Sequence, residues 1–557
     1  MNKRILGVFS ILIAFVISVN TGPVLLALQN KTITGEYPYY AFVEDPENPW
    51  NSIWEPLDAT DSYEYSDDYF AVESPGTHSA LRTMSYALAL AGFENTADGY
   101  PNDTGVVNPK MQKLLGELGF TDYEYWDERS EEGGHSMGTS LAHKTISYTT
   151  SYGEDETKEL IVLAPRNYNY FTEWLSNFNV GTEGDHAGFN ESANLLVGRL
   201  NQYISKYGLT NYKIWMVGYS RGGAVIDLVG KKINQALSSY DMEAEDLYAY
   251  TFGAPRASVT ETKYNNIHDV KDGNDLLLGY FFPEAWGFYN TGVYEEIHPA
   301  DLTISTTSIN TTDLVNSETV MSALISQEGL TIDEGTVNGR EFMDDWVEFV
   351  DRAGLTREYF DTFVKPPLSN LMKVYQSRTL DKQGEFTDFI KNQSNGMLGM
   401  LLYHLMLDLA SMSGSSTEEM IENFPLYQDL VKVLQGEATE ADIAELADYA
   451  ERYIGDYDEY VQLFGTDLAV TEEELTVIRT TIPELLRALG PIIVEDAKYT
   501  RENYGDNHSL YFLTTLIGNA ETLVIGHIPE SIMPILKSLH EEDLPVIPKV
   551  PNTGVGA

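Results

Sequence analysis

Cysteine is missing from all 557 residues, which excludes disulfides, thiol nucleophiles and cysteine-based zinc sites. Basic side chains are scarce as well, with 35 Lys and Arg against 85 Asp and Glu and a formal charge of -50. A field of that sign argues against nucleic acid as a partner and against electrostatic docking on anionic lipid. After the first 30 residues no run is long and apolar enough to span a bilayer. The start does carry one apolar run, Ile5 to Val19, behind Asn2, Lys3 and Arg4. That is the layout of a secretory signal peptide, expected over residues 1–30, and export is the natural consequence. An uncleaved membrane anchor is the alternative, because Pro23 to Leu28 extends the apolar character. Lack of cysteine fits an exported bacterial protein better than a disulfide-stapled ectodomain.

A hydrophobic content of 43% over this length supports a large core and two to four structural units. Residues 31–72 are rich in Tyr, Pro, Asp and Glu without sustained periodicity and read as an irregular extension. Between His78 and Phe120, "HSALRTMSYALALAGF" and "NPKMQKLLGELGF" read as packing helices. From Lys158 onward short apolar runs alternate with amphipathic ones. "ELIVLAP", "YKIWMVGYS", "DLYAYTFGAP" and "NNIHDVKD" read as strands; "HAGFNESANLLVGRLNQYISKYG" and "RGGAVIDLVGKKINQAL" read as crossover helices. The expected core, residues 73–300, is therefore a doubly wound α/β sheet. Residues 301–499 read as a run of helices without a fixed repeat, residues 500–542 as a return to the core, and the Pro-punctuated residues 543–557 as a tail.

Gly218-Tyr219-Ser220-Arg221-Gly222 fits the nucleophile-elbow pattern, in which small residues flank a serine on a sharp strand-to-helix turn. The five-residue pattern is weak on its own; its place between the strand "KIWMV" and the helix "RGGAVIDLVG" is what the chemistry requires. Such a turn lifts the hydroxyl off the sheet, and the helix N-terminus turns backbone N–H groups towards a developing oxyanion. A serine hydroxyl also needs an imidazole to take its proton and a carboxylate to fix the imidazole tautomer. Asp275 lies just past a strand end, where a parallel sheet presents functional side chains, with Asp272 and Asp269 as neighbours in competition. For the base, spacing alone leaves His298, His404, His508 and His527 open. His404, in "LLYHLMLDL", reads as a histidine on an apolar helix face rather than a base.

Several of these segments, in order, resemble the class 3 lipases, the fungal-lipase-like branch of the α/β-hydrolases, and within it the secreted bacterial members. "LAPRNYNYFTEWLSNFNVG" is similar to the family's oxyanion-loop segment, "DHAGFNESA" to its His-Ala-Gly-Phe helix start, "VGYSRGGA" to the elbow and "YTFGAPRAS" to a strand end. "GNDLLLGYFFPEAWGF" is similar to the segment carrying the acid, and "GDNHSLYFL" to the last catalytic segment. The resemblance covers about residues 140 to 290 and returns near residue 500. It implies Ser220, Asp275 and His508 as the triad, His186 as a structural residue near the elbow, and backbone N–H groups of Tyr168 and Arg221 as the oxyanion hole. Arg166-Asn167-Tyr168 stands where the family usually has Arg-Gly-Thr or Arg-Gly-Ser.

The implied fold is an α/β-hydrolase with a mostly parallel sheet flanked by helices and a large helical insertion between acid and base. The implied activity is cleavage of carboxylic esters, triacylglycerol or phospholipid among them, with no metal or organic cofactor. An ester or lipid is the expected partner, with lipid-interface contact through the inserted helices. A cell-surface binding or structural protein on a catalytically weakened scaffold is the reading from another class.

Overall fold

The computed structural model describes residues 31–43, 53–76, 78–92, 108–126, 137–150, 153–166, 171–272, 275, 284–297, 347–381, 400, 403–404, 407, 425–465, 470–504, 532–533 and 536. Its centre is a seven-stranded sheet in consecutive order: β3 (Thr121–Trp126), β4 (Thr139–Thr149), β5 (Asp155–Pro165), β6 (Tyr212–Tyr219), β7 (Leu247–Phe252), β8 (Tyr264–Asp272) and β9 (Gly292–Ile297). β3, β4 and β5 pair antiparallel, whereas β5 to β9 are parallel. Every residue of β6 and β7 is buried, the signature of central parallel strands covered on both faces.

Alternation along β6 sorts its side chains between two cores. Ile214 and Met216 pack with Leu196 and Leu200 of α4 (Ala187–Tyr207) and with Val225 and Leu228 of α5 (Arg221–Asn234). Trp215 and Val217 face α1 (Ser79–Ala91) and α2 (Pro109–Leu118). α1 is apolar on nearly every side and buried over most of its length, as a helix clamped between sheet and overlying chain must be. Trp215 is fully buried and donates its indole N–H to Ser85 Oγ at 2.9 Å, so its removal would cost about 3–5 kcal/mol. Ile532, Met533 and Leu536 belong to this same core, and the Leu536 carbonyl accepts the Thr83 hydroxyl.

Two expectations change. The sheet is an α/β-hydrolase sheet but is not doubly wound over the described residues: its strands follow one another in sequence order, and right-handed crossovers stepping in one direction place α4 and α5 on the same face. The described residues between 31 and 72 are not irregular either. β1 (Lys31–Val43) and β2 (Ile53–Tyr65) form an antiparallel ribbon, followed by a 3-10 turn, Asp67–Ala71. A two-stranded ribbon leaves half of its backbone groups outside the ladder, so Pro38 and Pro56 are tolerated within it.

The described part of the late chain is helical: α6 (Lys365–Asp381), α7 (Pro425–Leu434), α8 (Glu440–Ile454), α9 (Tyr457–Phe464) and α10 (Glu472–Tyr504), after α3 (Phe171–Phe178) in the core. α8 starts on a capping box, with Thr439 and Asp442 bonding each other's backbone N–H. α6 packs against α3. The first turns of the region dock on the core through the Trp286 indole, which donates to the Leu355 carbonyl at 2.7 Å and lies tilted against the Phe360 ring at 5.3 Å. Arg357 donates to the carbonyls of Val180, Gly181, Glu183 and Gly184 and lies 4.5 Å over the Phe288 ring.

Candidate active site

β6 ends at Tyr219 and α5 begins at Arg221, so the chain reverses at a single residue, Ser220. Its backbone sits at φ 52°, ψ -125°, a region that a residue with a Cβ occupies at a cost of about 1–3 kcal/mol. Neighbours impose that conformation. Ser220 N–H donates to the Phe252 carbonyl at the end of β7 at 2.8 Å, while its own carbonyl accepts Ala224 N–H at 3.1 Å and opens the helix. Gly218 is required by proximity: a Cβ there would stand 2.4 Å from the Gly222 carbonyl oxygen. The glycines of the motif thus allow strand and helix to meet edge to edge with the serine at the apex. Arg221 is the first helical residue, and N–H groups of a helix's first turn have no carbonyl within the helix to bond.

Asp275 is buried, at 4% exposure, three residues beyond the end of β8. One strand, β7, separates β8 from the strand that carries Ser220, so Asp275 and Ser220 emerge from the same edge of the sheet. Asp269 is committed elsewhere: it accepts Thr251 Oγ1 at 3.0 Å and pairs with Lys271 at 3.0 Å. Asp272 closes β8 opposite Ile297.

Of the other site residues expected from sequence, Tyr168, His298, His508 and His527 lie outside the described residues. His404 lies in the helical region, where its Nε2 is 3.0 Å from the Glu459 carboxylate, in keeping with a packing role. His268, which the sequence reading placed only in a strand, is held on both sides: Nδ1 lies 2.9 Å from Glu295 and Nε2 2.7 Å from the Ser74 carbonyl. Arg82 pairs with the same Glu295, and burial notwithstanding, His268 and Arg82 hold its carboxyl down at about 2.

His186 caps α4. Its Nδ1 accepts Phe189 N–H at 3.3 Å and its Nε2 donates to the Asn177 carbonyl at 3.2 Å, which fixes the neutral tautomer. Burial lowers its pKa to about 3, with the Arg357 and Arg221 cations adding to the effect. Asp227, on the inner side of α5, accepts Thr291 N–H, Thr291 Oγ1 and Gly292 N–H and so ties the elbow helix to β9. Burial first, and the nearby Asp269 second, raise its pKa to about 6.

A strained serine at a strand-to-helix turn, set in a parallel sheet with a buried carboxylate two strands away, defines an α/β-hydrolase. The comparisons narrow the class. Residues 168–275, which begin at Tyr168 within the expected oxyanion segment and include Ser220 and Asp275, match the family model for lipase (class 3). No curated protein matches the sequence. Among solved structures, a triacylglycerol lipase whose catalytic centre is described as a serine protease triad is 16% identical, with 40% of this chain and 82% of that one covered and a TM-score of 0.28. A lipase from Rhizopus microsporus var. chinensis is 18% identical over 39% and 74% of the two chains, with a TM-score of 0.27. Lipase II from Rhizopus niveus is 18% identical over 41% and 83%, again at 0.27. The matched domain makes the chain a carboxylic ester hydrolase of lipase type.

Proposed function

We propose that the chain is an exported lipase or esterase that hydrolyses carboxylic esters, triacylglycerols or phospholipids among them, through Ser220, His508 and Asp275. Ser220 Oγ attacks the acyl carbonyl as His508 takes its proton, and the alcohol leaves with that proton. Water, deprotonated by His508, then attacks the acyl-enzyme and releases the acid and Ser220. Asp275 orients the imidazole, and the N–H groups of Arg221 and Tyr168 bind the oxyanion. The observation that carries this reading is the backbone of Ser220, at φ 52° on the β6–α5 turn, because backbone strain held at the apex of a strand-to-helix turn is of the kind that functional sites store. Export rests on the apolar run that follows Lys3 and Arg4. The helices after residue 347 are proposed as a cap beside the acyl site, supported by their anchorage to Trp286 and to residues 180–184, and as the surface that meets a lipid interface.

The test is hydrolysis of p-nitrophenyl esters from acetate to palmitate by the chain without its first 30 residues. A rate that Ser220→Ala abolishes supports the reading, and the chain-length profile separates esterase from lipase. Turnover indifferent to Ser220→Ala, or absent on every ester, would favour the binding-protein alternative.

A further inference from the structure

Lys271, Asp269 and Asn290 meet in the interior, all three buried and none used by the ester chemistry proposed above. Lys271 and Asp269 lie two residues apart on β8 and so face the same side of the sheet. Asn290 belongs to the segment that leads into β9, and that segment passes closely over β8: a Cβ on Gly292 would stand 2.9 Å from Ile267 Cγ2 and 3.1 Å from Asp269 Cβ. Lys271 Nζ donates to Asn290 Oδ1 at 2.6 Å and lies 3.0 Å from Asp269 Oδ2.

The Asn290 amide is held in one orientation. Its Nδ2 donates to the Ala254 and Pro255 carbonyls, each at 3.3 Å, which turns Oδ1 towards Lys271, and its backbone carbonyl accepts Lys263. Asp269 is held through Oδ1, which accepts Thr251 Oγ1 at 3.0 Å. An amide C=O is about 1.23 Å long, so Nζ stands no more than about 3.8 Å from the carbon that bears Oδ1, close to the separation of about 3–3.5 Å from which addition proceeds. Burial pushes the pKa of the Lys271 ammonium down against the opposing pull of Asp269, and the Arg256 cation adds to the lowering. Desolvation penalises ammonium and carboxylate alike, so transfer of a proton from Lys271 to Asp269 is easier here than in water.

We propose that Lys271 and Asn290 join in an intramolecular isopeptide bond, with Asp269 as the proton acceptor. Lys271 gives one proton to Asp269 and adds as the free amine to Asn290 Cγ. A second proton passes from Nζ to Nδ2 as the Cγ–Nδ2 bond breaks, and ammonia leaves, taking the first proton back from Asp269 as ammonium. One C–N bond forms and one breaks, with no oxidant or cofactor. The product ties the end of β8, four residues ahead of Asp275, to the start of β9, in a chain that has no cysteine for a disulfide. The proposal stands whether or not Ser220 turns over esters.

The full chain is tested by peptide mapping. A protease specific for Glu cuts after Glu261, Glu284 and Glu295, which puts Lys271 in residues 262–284 and Asn290 in residues 285–295. The native chain is expected to give the two peptides as one branched species, lighter than their sum by one ammonia, with fragment ions that place the link at Lys271 and Asn290. Lys271→Arg, which keeps the cation without the nucleophile, should release them separately. Asp269→Asn should slow the joining about a hundredfold, so that freshly made protein yields mostly separate peptides. The native digest decides even where a variant does not fold. Separate peptides from the native chain would overturn the proposal, as would a link between other residues or one that forms at native speed in Asp269→Asn.

Discussion

His186 and Asn177 join the start of one helix to the end of another: the buried imidazole caps α4 through Nδ1 and donates Nε2–H to the Asn177 carbonyl just inside the C-terminus of α3, at 3.2 Å. Both bonds need the neutral ring. Its pKa falls from 6.5 in the open chain to about 3 in the fold, chiefly through burial. Below the open-chain value the unfolded state therefore takes up a proton that the native state refuses. The contribution is complete above pH 6.5 and drains away as the pH falls towards 3, with a limiting slope of about 1.4 kcal/mol per pH unit. Melting temperature measured from pH 7 to 4 should fall less steeply in His186→Asn, which keeps a capping oxygen, than in the native chain.

Asp227 titrates in the opposite sense. Its folded value of about 6 lies above the ordinary 3.8, so its extra stability is present below pH 3.8 and is lost as the pH rises through 6. Asp227→Asn removes that loss. The melting temperature of the variant minus that of the native chain should climb across pH 4 to 6 and level off above. A difference that stays flat with pH would show that Asp227 is charged throughout.

Ser220→Gly separates strain from chemistry. Glycine adopts φ 52° freely, so the variant should gain about 1 kcal/mol or more of stability while losing all esterase activity. Chemical denaturation of the two proteins checks it; equal midpoints would mean that the turn stores no strain.

Gly218→Ala should have the reverse effect. Its Cβ meets the backbone of Gly222 rather than a yielding side chain, so the elbow must open, with a loss of about 2 kcal/mol or more and of activity together. Activity retained at native stability would contradict the close approach of strand and helix.

How much of this could be read from sequence follows from the burial of each element. β5, β6 and β7 are legible because central parallel strands are continuous apolar runs, and α4 and α5 because their apolar residues recur at helical spacing beneath the sheet. β4 is not legible because His143, Lys144 and its Ser and Thr residues break up its apolar run, and β9 because its six residues include Glu295, Glu296 and Tyr294. The β1–β2 ribbon was hidden by Pro38, Pro56 and its acidic residues, which read as breakers when the partner strand is unknown. At the site, the sharp turn at Ser220 is legible since the motif and the strain coincide, and the place of Asp275 beyond β8 since the strand before it is recognisable. For the base, local pattern leaves His298, His508 and His527 open, and all three lie outside the described residues. Buried polar ties such as Arg221 to Ser176 were equally invisible, because hydroxyl partners 45 residues apart leave no periodic trace.

The most direct measurement of the central claim is the site of labelling by a p-nitrophenyl alkylphosphonate, read by peptide mass spectrometry in the native chain and in His508→Ala. The account predicts one adduct, on Ser220, formed at least a hundredfold more slowly in the variant. An adduct on another residue, or labelling of Ser220 at an undiminished rate without His508, would contradict it.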